Sequence, residues 1–96
     1  MIAKEKNHVK RSIKEIIMQT GQLLKSIRLN KGLTQTELAK KSGLKSPQFV
    51  GAIEMGRSKL PFFKIRKTAK ALGISTKVLA EALINDIELE IYKAIR

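Results

Sequence analysis

The stretch Thr34-Gln35-Thr36-Glu37-Leu38-Ala39-Lys40-Lys41-Ser42-Gly43-Leu44-Lys45-Ser46-Pro47-Gln48-Phe49-Val50-Gly51-Ala52-Ile53-Glu54-Met55 reads as two short helices and a tight turn. Thr34 and Glu37 stand three apart, the spacing of a capping box, with Thr34 at the N-cap and Glu37 at N3. Leu38 and Ala39 are the residues this first helix buries, and Gly43 stops it. Gly43-Leu44-Lys45 forms the turn. Ser46 caps the second helix and Pro47 takes its first position, where a missing N–H costs nothing. That helix runs to Met55 and buries Val50 and Ile53. Such a pair is either an ordinary helical hairpin or one that lays its second helix in the major groove of a duplex.

The flanks continue the helical pattern. Thr20 is a candidate cap for a helix that carries Leu23, Leu24 and Ile27 and ends near Gly32. Pro61 opens another, with Phe62, Ile65, Ala69 and Leu72 on one face and Gly73 at its end. Ser75 caps a last helix with Val78, Leu79, Leu83, Ile87, Ile91 and Ile95 as apolar positions; it either reaches the C-terminus or breaks near Asn85. Upstream, Val9, Ile13, Ile16 and Ile17 predict an amphipathic helix over residues 8–18. No period-2 alternation and no Asn-Gly hairpin signal occur, so the fold class is all-α.

Composition bounds the function. The chain has 96 residues, with 20 Lys+Arg against 8 Asp+Glu, a formal net charge of +12. That length predicts one core. The charge points to a polyanionic partner, nucleic acid before an anionic membrane surface. Residues 1–80 hold 18 basic and 4 acidic side chains, whereas residues 81–96 hold 2 and 4. The C-terminal piece is thus better suited to solvent or another protein than to phosphate.

There is no cysteine, and His8 is the only histidine. No disulfide scaffold, thiolate zinc site, metal cluster or His-centred nucleophilic constellation can be assembled. The expectation is a protein that is not an enzyme and needs no cofactor or metal. The longest apolar runs are three residues, such as Ile16-Ile17-Met18. This is far short of the ~20 a membrane span needs. The first twenty residues carry basic side chains throughout and do not read as a secretory signal. The expected location is the cytoplasm.

Gly32 to Ala39, Gly43-Leu44, Ile53 to Gly56 and Ala69 to Ser75 together resemble the Cro/C1-type helix-turn-helix family, the phage-repressor-like or XRE group. The resemblance covers roughly residues 22–84. It implies a five-helix, lambda-repressor-like domain at 20–84, with a basic helical extension at 1–19 and a helical extension at 85–96. It also implies a regulator of transcription that binds double-stranded DNA, acts as a repressor and forms a homodimer, with residues 46–55 in the major groove.

Residue by residue, Thr34 and Gln35 match the start of the family's second helix, where a phosphate is held. Ser46 and Gln48 match the start of its recognition helix, and Gln can pair with adenine N6 and N7. Arg57 and Lys59 match backbone contacts in the loop that follows. Lys45, Pro47, Phe49 and Ala52 complete the DNA-facing set. Arg28 and Glu54 match a charged pair that ties the first helix to the end of the third. The stretch from Gly43 to Glu54 is one residue longer than in the simplest phage repressors. Pro47, Phe49, Gly51 and Ala52 stand where relatives often carry polar readers. Phe49 and Ala52 either meet a thymine methyl or, for Phe49, pack beside Val50; Gly51 either permits close backbone approach or is merely tolerated.

The extensions leave two readings each. Lys4, Lys6, Lys10, Arg11 and Lys14 form either an arm along DNA or a solvated face. Ile84, Ile87, Ile91 and Ile95 form either a dimer or partner surface or a contact with Val9, Ile13 and Ile17. The rival functions are a protein-interaction module, such as the antitoxin of a toxin–antitoxin pair, and a membrane-surface binder using the basic N-terminal helix. The absence of Trp counts against the last.

Overall fold

A computed structural model describes residues 19–96. Its five α-helices are α1 (Gln19–Asn30), α2 (Gln35–Ser42), α3 (Pro47–Glu54), α4 (Ile65–Leu72) and α5 (Thr76–Ile95), with a 3-10 turn at Phe62–Lys64 before α4. No strand occurs among the described residues. The helix expected at residues 8–18 lies outside them.

The local signals act as read. Thr34 Oγ1 accepts the Glu37 amide at 3.0 Å, and Glu37 Oε1 accepts the Thr34 amide at 2.8 Å, completing the capping box of α2. Gly43 ends α2 with a left-handed backbone, φ 68°. A residue with a Cβ is strained in that conformation, so glycine is what permits the sharp turn. Ser46 Oγ accepts the Phe49 amide at 3.0 Å and starts α3, with Pro47 in its first turn. Ser75 caps α5 in the same manner.

The core is made where these short helices meet. α2 packs on α3 and α4, α1 packs on α3 and α5, and α5 closes on α4. Leu24, Leu38, Val50, Leu60, Leu72 and Leu79 are fully buried, with Ala39, Leu44, Ile53 and Ala69 beside them. Burying one such leucine side chain stabilises the fold by about 1.5–3 kcal/mol. α1 comes so close to α3 that only glycine fits at position 21. A Cβ there would run into the carbonyl oxygens of Ile53 and Glu54, the latter at 2.7 Å.

Three sequence expectations need correction. Thr20 does not cap α1. It lies inside the helix with its hydroxyl buried and without a hydrogen-bond partner, while the carboxylate of Asp86 accepts the amides of Gln19 at 2.8 Å and Thr20 at 3.0 Å. Asp86 is therefore buried, not a solvent-facing acid of the C-terminal piece. Phe62 is 66% exposed, because it sits in the 3-10 turn, whose three residues per turn put it out of phase with α4; Leu60 fills the core instead. α5 is unbroken at Asn85, and its buried face is Leu79, Ala82, Leu83, Asp86 and Leu89. Val78, Ile84, Ile91 and Ile95 are exposed.

Candidate nucleic-acid interface

Three elements meet at the α2–α3 pair. The first is the amino end of α2. Its capping box occupies the amides of Thr34 and Glu37, and the Leu38 amide bonds the Thr34 carbonyl. The amides of Gln35 and Thr36 have no partner among the described residues. They carry the positive end of the helix dipole, which suits an anion such as a phosphate. Glu37 stays ionised to lower pH than an ordinary glutamate, chiefly because it accepts the Thr34 amide, with the Thr34 hydroxyl and nearby Lys41 adding to the effect.

The second element is α3. Gln48 is exposed at its first turn. Pro47 and Ala52 are half-buried. Phe49 is half-buried against the core, and the ammonium of Lys45 lies 4.7 Å from the centroid of its ring. Phe49 therefore divides its surface between the core and a cation–π contact. Ser46 is committed to its cap.

The third element holds the first two at a fixed angle. Arg28 donates from Nε to Glu54 Oε2 at 2.6 Å and from Nη2 to Oε1 at 3.1 Å, and from Nη1 to the Leu33 carbonyl at 2.9 Å. Gln35 Nε2 donates to Glu54 Oε1 at 3.1 Å. The Arg28 and Glu54 side chains are 9% and 3% exposed, so the pair is buried. This one network joins α1, the α1–α2 turn, the start of α2 and the end of α3. A Cβ on Gly51 would sit 3.2 Å from Gln35 Nε2, so the glycine in α3 makes room for the Gln35 side chain.

Thr34 and Gln35 stand at the start of α2 and Lys45 to Ala52 at and in α3, whereas Arg57 and Lys59 follow in the loop beyond it. Thr34, Lys45, Gln48, Arg57 and Lys59 are exposed; Gln35, Ser46, Pro47, Phe49 and Ala52 are half-buried. Gln35 keeps its backbone amide free but spends its side chain on Glu54. Lys59 lies 2.7 Å from Glu90 on α5, both about half exposed. Sequence reasoning did not find Gln35 in the buried network, because neither reading of Gly51, close backbone approach or mere tolerance, points to the Gln35 side chain that it admits. An open groove of about 530 Å³ runs between α1 and α5, lined by residues such as Leu23, Ser26 and Val78, and no candidate DNA-facing residue lines it. Among the described residues no three His, Cys, Asp or Glu side chains gather as a metal site, and no helix is long and apolar enough to cross a membrane.

The comparisons agree with this geometry. A helix-turn-helix family model matches residues 24–79. The crystal structure of the restriction-modification controller protein C.AhdI from Aeromonas hydrophila is similar at 39% sequence identity, over 65% of this chain and 88% of that one, with a TM-score of 0.58. No curated protein matches. Two capped helices at a glycine turn, locked by a buried ion pair and matched by that family model, place the chain in the Cro/C1-type helix-turn-helix family of DNA-binding transcriptional regulators.

Proposed function

We propose that the protein binds duplex DNA as a homodimer and represses transcription, with α3 in the major groove. The observation that carries this reading is the buried Arg28–Glu54–Gln35 network, which fixes α3 relative to the phosphate-ready amino end of α2. In this reading the free amides of Gln35 and Thr36, with the Thr34 side chain beside them, hold one phosphate. Gln48 reads a base edge, and Ala52 and the open edge of Phe49 meet thymine methyls. Lys45, Arg57 and Lys59 contact the backbone, and Ser46 and Pro47 set where α3 begins. With Gln48 as its one exposed polar reader at the amino end of α3, recognition leans on phosphate contacts and DNA shape. Residues 20–84 form the DNA-binding unit.

The dimer reading rests on α5. Ile84, Ile91 and Ile95 are 53–72% exposed, and Tyr92 beside them is 66% exposed. An apolar stripe of this kind suits a second copy of the chain. A two-fold dimer places half-sites about one helical turn, ~34 Å, apart. The same stripe is what an antitoxin-like module would offer to a different protein partner.

The test is titration onto random and genomic duplexes at two salt concentrations, followed by selection of preferred sites. A steep fall of affinity with salt and recovery of a palindromic site are the expected results. Absence of duplex binding at low salt overturns the reading. Gln48→Ala should change the selected sequence, whereas Arg57→Ala should weaken all sequences alike.

A further inference from the structure

Positive charge gathers at the α2–α3 turn from a part of the chain that the assigned surface does not use. A Cβ built on Gly43 would lie 2.9 Å from Lys64 Nζ and 3.2 Å from Lys67 Nζ. Both ammonium groups therefore occupy the space beside one residue, the left-handed end of α2. Lys45, two residues further on, holds its own Nζ over Phe49 in the first turn of α3. The 3-10 turn and the first turn of α4 thus deliver two cations to the Gly43 turn between α2 and α3.

No acid among the described residues answers them. The ion pairs there are Arg28–Glu54 and Lys59–Glu90, and neither lies at this turn. The carboxyl end of α2 attracts cations, but its pole amounts to only about half an elementary charge. Against two ammonium groups that leaves more than one positive charge in excess. The carbonyls of Ala39 and Lys40 are already taken by the amides of Leu44 and Gly43. Two ammonium groups sharing one space repel each other, and an anion placed between them turns that repulsion into two attractions.

We propose that Lys64 and Lys67, with Lys45 two residues along the chain from Gly43, form a further anchor for the DNA backbone, seated against the Gly43 turn. It is separate from the amino end of α2 and from the Arg57–Lys59 loop. The ligand is a phosphodiester of the duplex. Lysine offers a mobile point charge, which suits a phosphate and reads no base. The anchor rests on the DNA-binding reading above and adds a contact to it. It fixes the register of α3 from its amino end, as the α2 contact does from the other side of the pair.

The experiment measures duplex affinity of the full chain against salt, on the protein's selected site. In Lys64→Gln/Lys67→Gln, the slope of log K against log salt should become shallower by about 0.9, the contribution of the one phosphate no longer neutralised. The selected sequence should stay the same. Lys64→Arg/Lys67→Arg should keep the wild-type slope. Lys70→Gln/Lys77→Gln, which removes the same charge from the last turn of α4 and the first turn of α5, should also keep it. Thermal unfolding of each variant shows that the fold is retained. A wild-type slope in Lys64→Gln/Lys67→Gln overturns the anchor alone and leaves the DNA reading standing. An equal change in Lys70→Gln/Lys77→Gln overturns it too, by showing a general field effect. Absence of salt-dependent duplex binding in the wild type removes the DNA reading and the anchor together.

Discussion

The α2–α3 pair and the last turns of α5 are built from the same kind of element under opposite conditions. α2 and α3 have eight residues each, too short to persist alone in water. They hold because side chains cap their starts, a glycine ends α2, and Leu38, Val50 and Ile53 are buried between them. Beyond Leu89, α5 has no buried residue at all, and Ile91, Tyr92 and Ile95 face outward. One region spends its apolar surface inside the fold and gains a fixed orientation. The other leaves its apolar surface open to solvent. Rigidity and stickiness are thus kept in different parts of one small domain.

Substitutions can break or sharpen that contrast. The largest expected effect is on the locked pair. Arg28→Ala leaves Glu54 buried without its partner and should cost about 3–5 kcal/mol in chemical denaturation. A loss under 1 kcal/mol would show that the pair does not set the angle of α3. Gly21→Ala drives a methyl into the carbonyls of Ile53 and Glu54. It should cost ~1–3 kcal/mol or more by the same measurement, the range for overpacking a close contact. Ile91→Asp, on the exposed face, should change monomer stability by no more than ~0.5 kcal/mol. Sedimentation should nonetheless show monomers where the wild type is dimeric, and a monomeric wild type would remove the dimer.

The smallest effect is at the exposed capping box. Glu37 titrates below its ordinary value of 4.5 in the folded protein. Its stabilising contribution is therefore full above that value and is lost as pH falls through the lower folded one. Glu37→Gln should flatten the acid limb of the stability profile there, and an unchanged limb would show that the box adds no pH dependence.

What sequence could show and what it could not divide along chain distance. Thr34 with Glu37, Ser46 with Pro47, and Gly43 act within a few residues, so their spacing announces them. Arg28 with Glu54 came through the family resemblance, and the structure shows the ion pair directly. Gly21 and Asp86 left no local signal, because each is explained by a partner far along the chain. The face of α5 was ambiguous for a related reason. The helix carries two apolar stripes, and contact with α1 and α4 selects Leu79, Leu83 and Leu89 over Val78, Ile84 and Ile91. At the candidate interface, exposed Gln48 and Arg57 fit the reading. The commitment of the Gln35 side chain to Glu54 and of Lys59 to Glu90 depended on tertiary neighbours. Lys64 and Lys67 carry no local signal of their place beside Gly43, which comes from the packing of α4 on α2.

The Asp86 contact also sets an order of events in folding. Its bond to the Thr20 amide joins residues 66 positions apart, whereas the α2–α3 hairpin forms between near neighbours. Closing the longer loop costs more chain entropy, and such contacts are made late. The hairpin should be structured in the transition state while the α1–α5 clasp is still open. Asp86→Asn should then accelerate unfolding with little change in the folding rate, whereas Val50→Ala in the hairpin should slow folding itself. Those rates would make the clasp the closing latch of the domain, setting how long the native state lasts more than how fast it is reached.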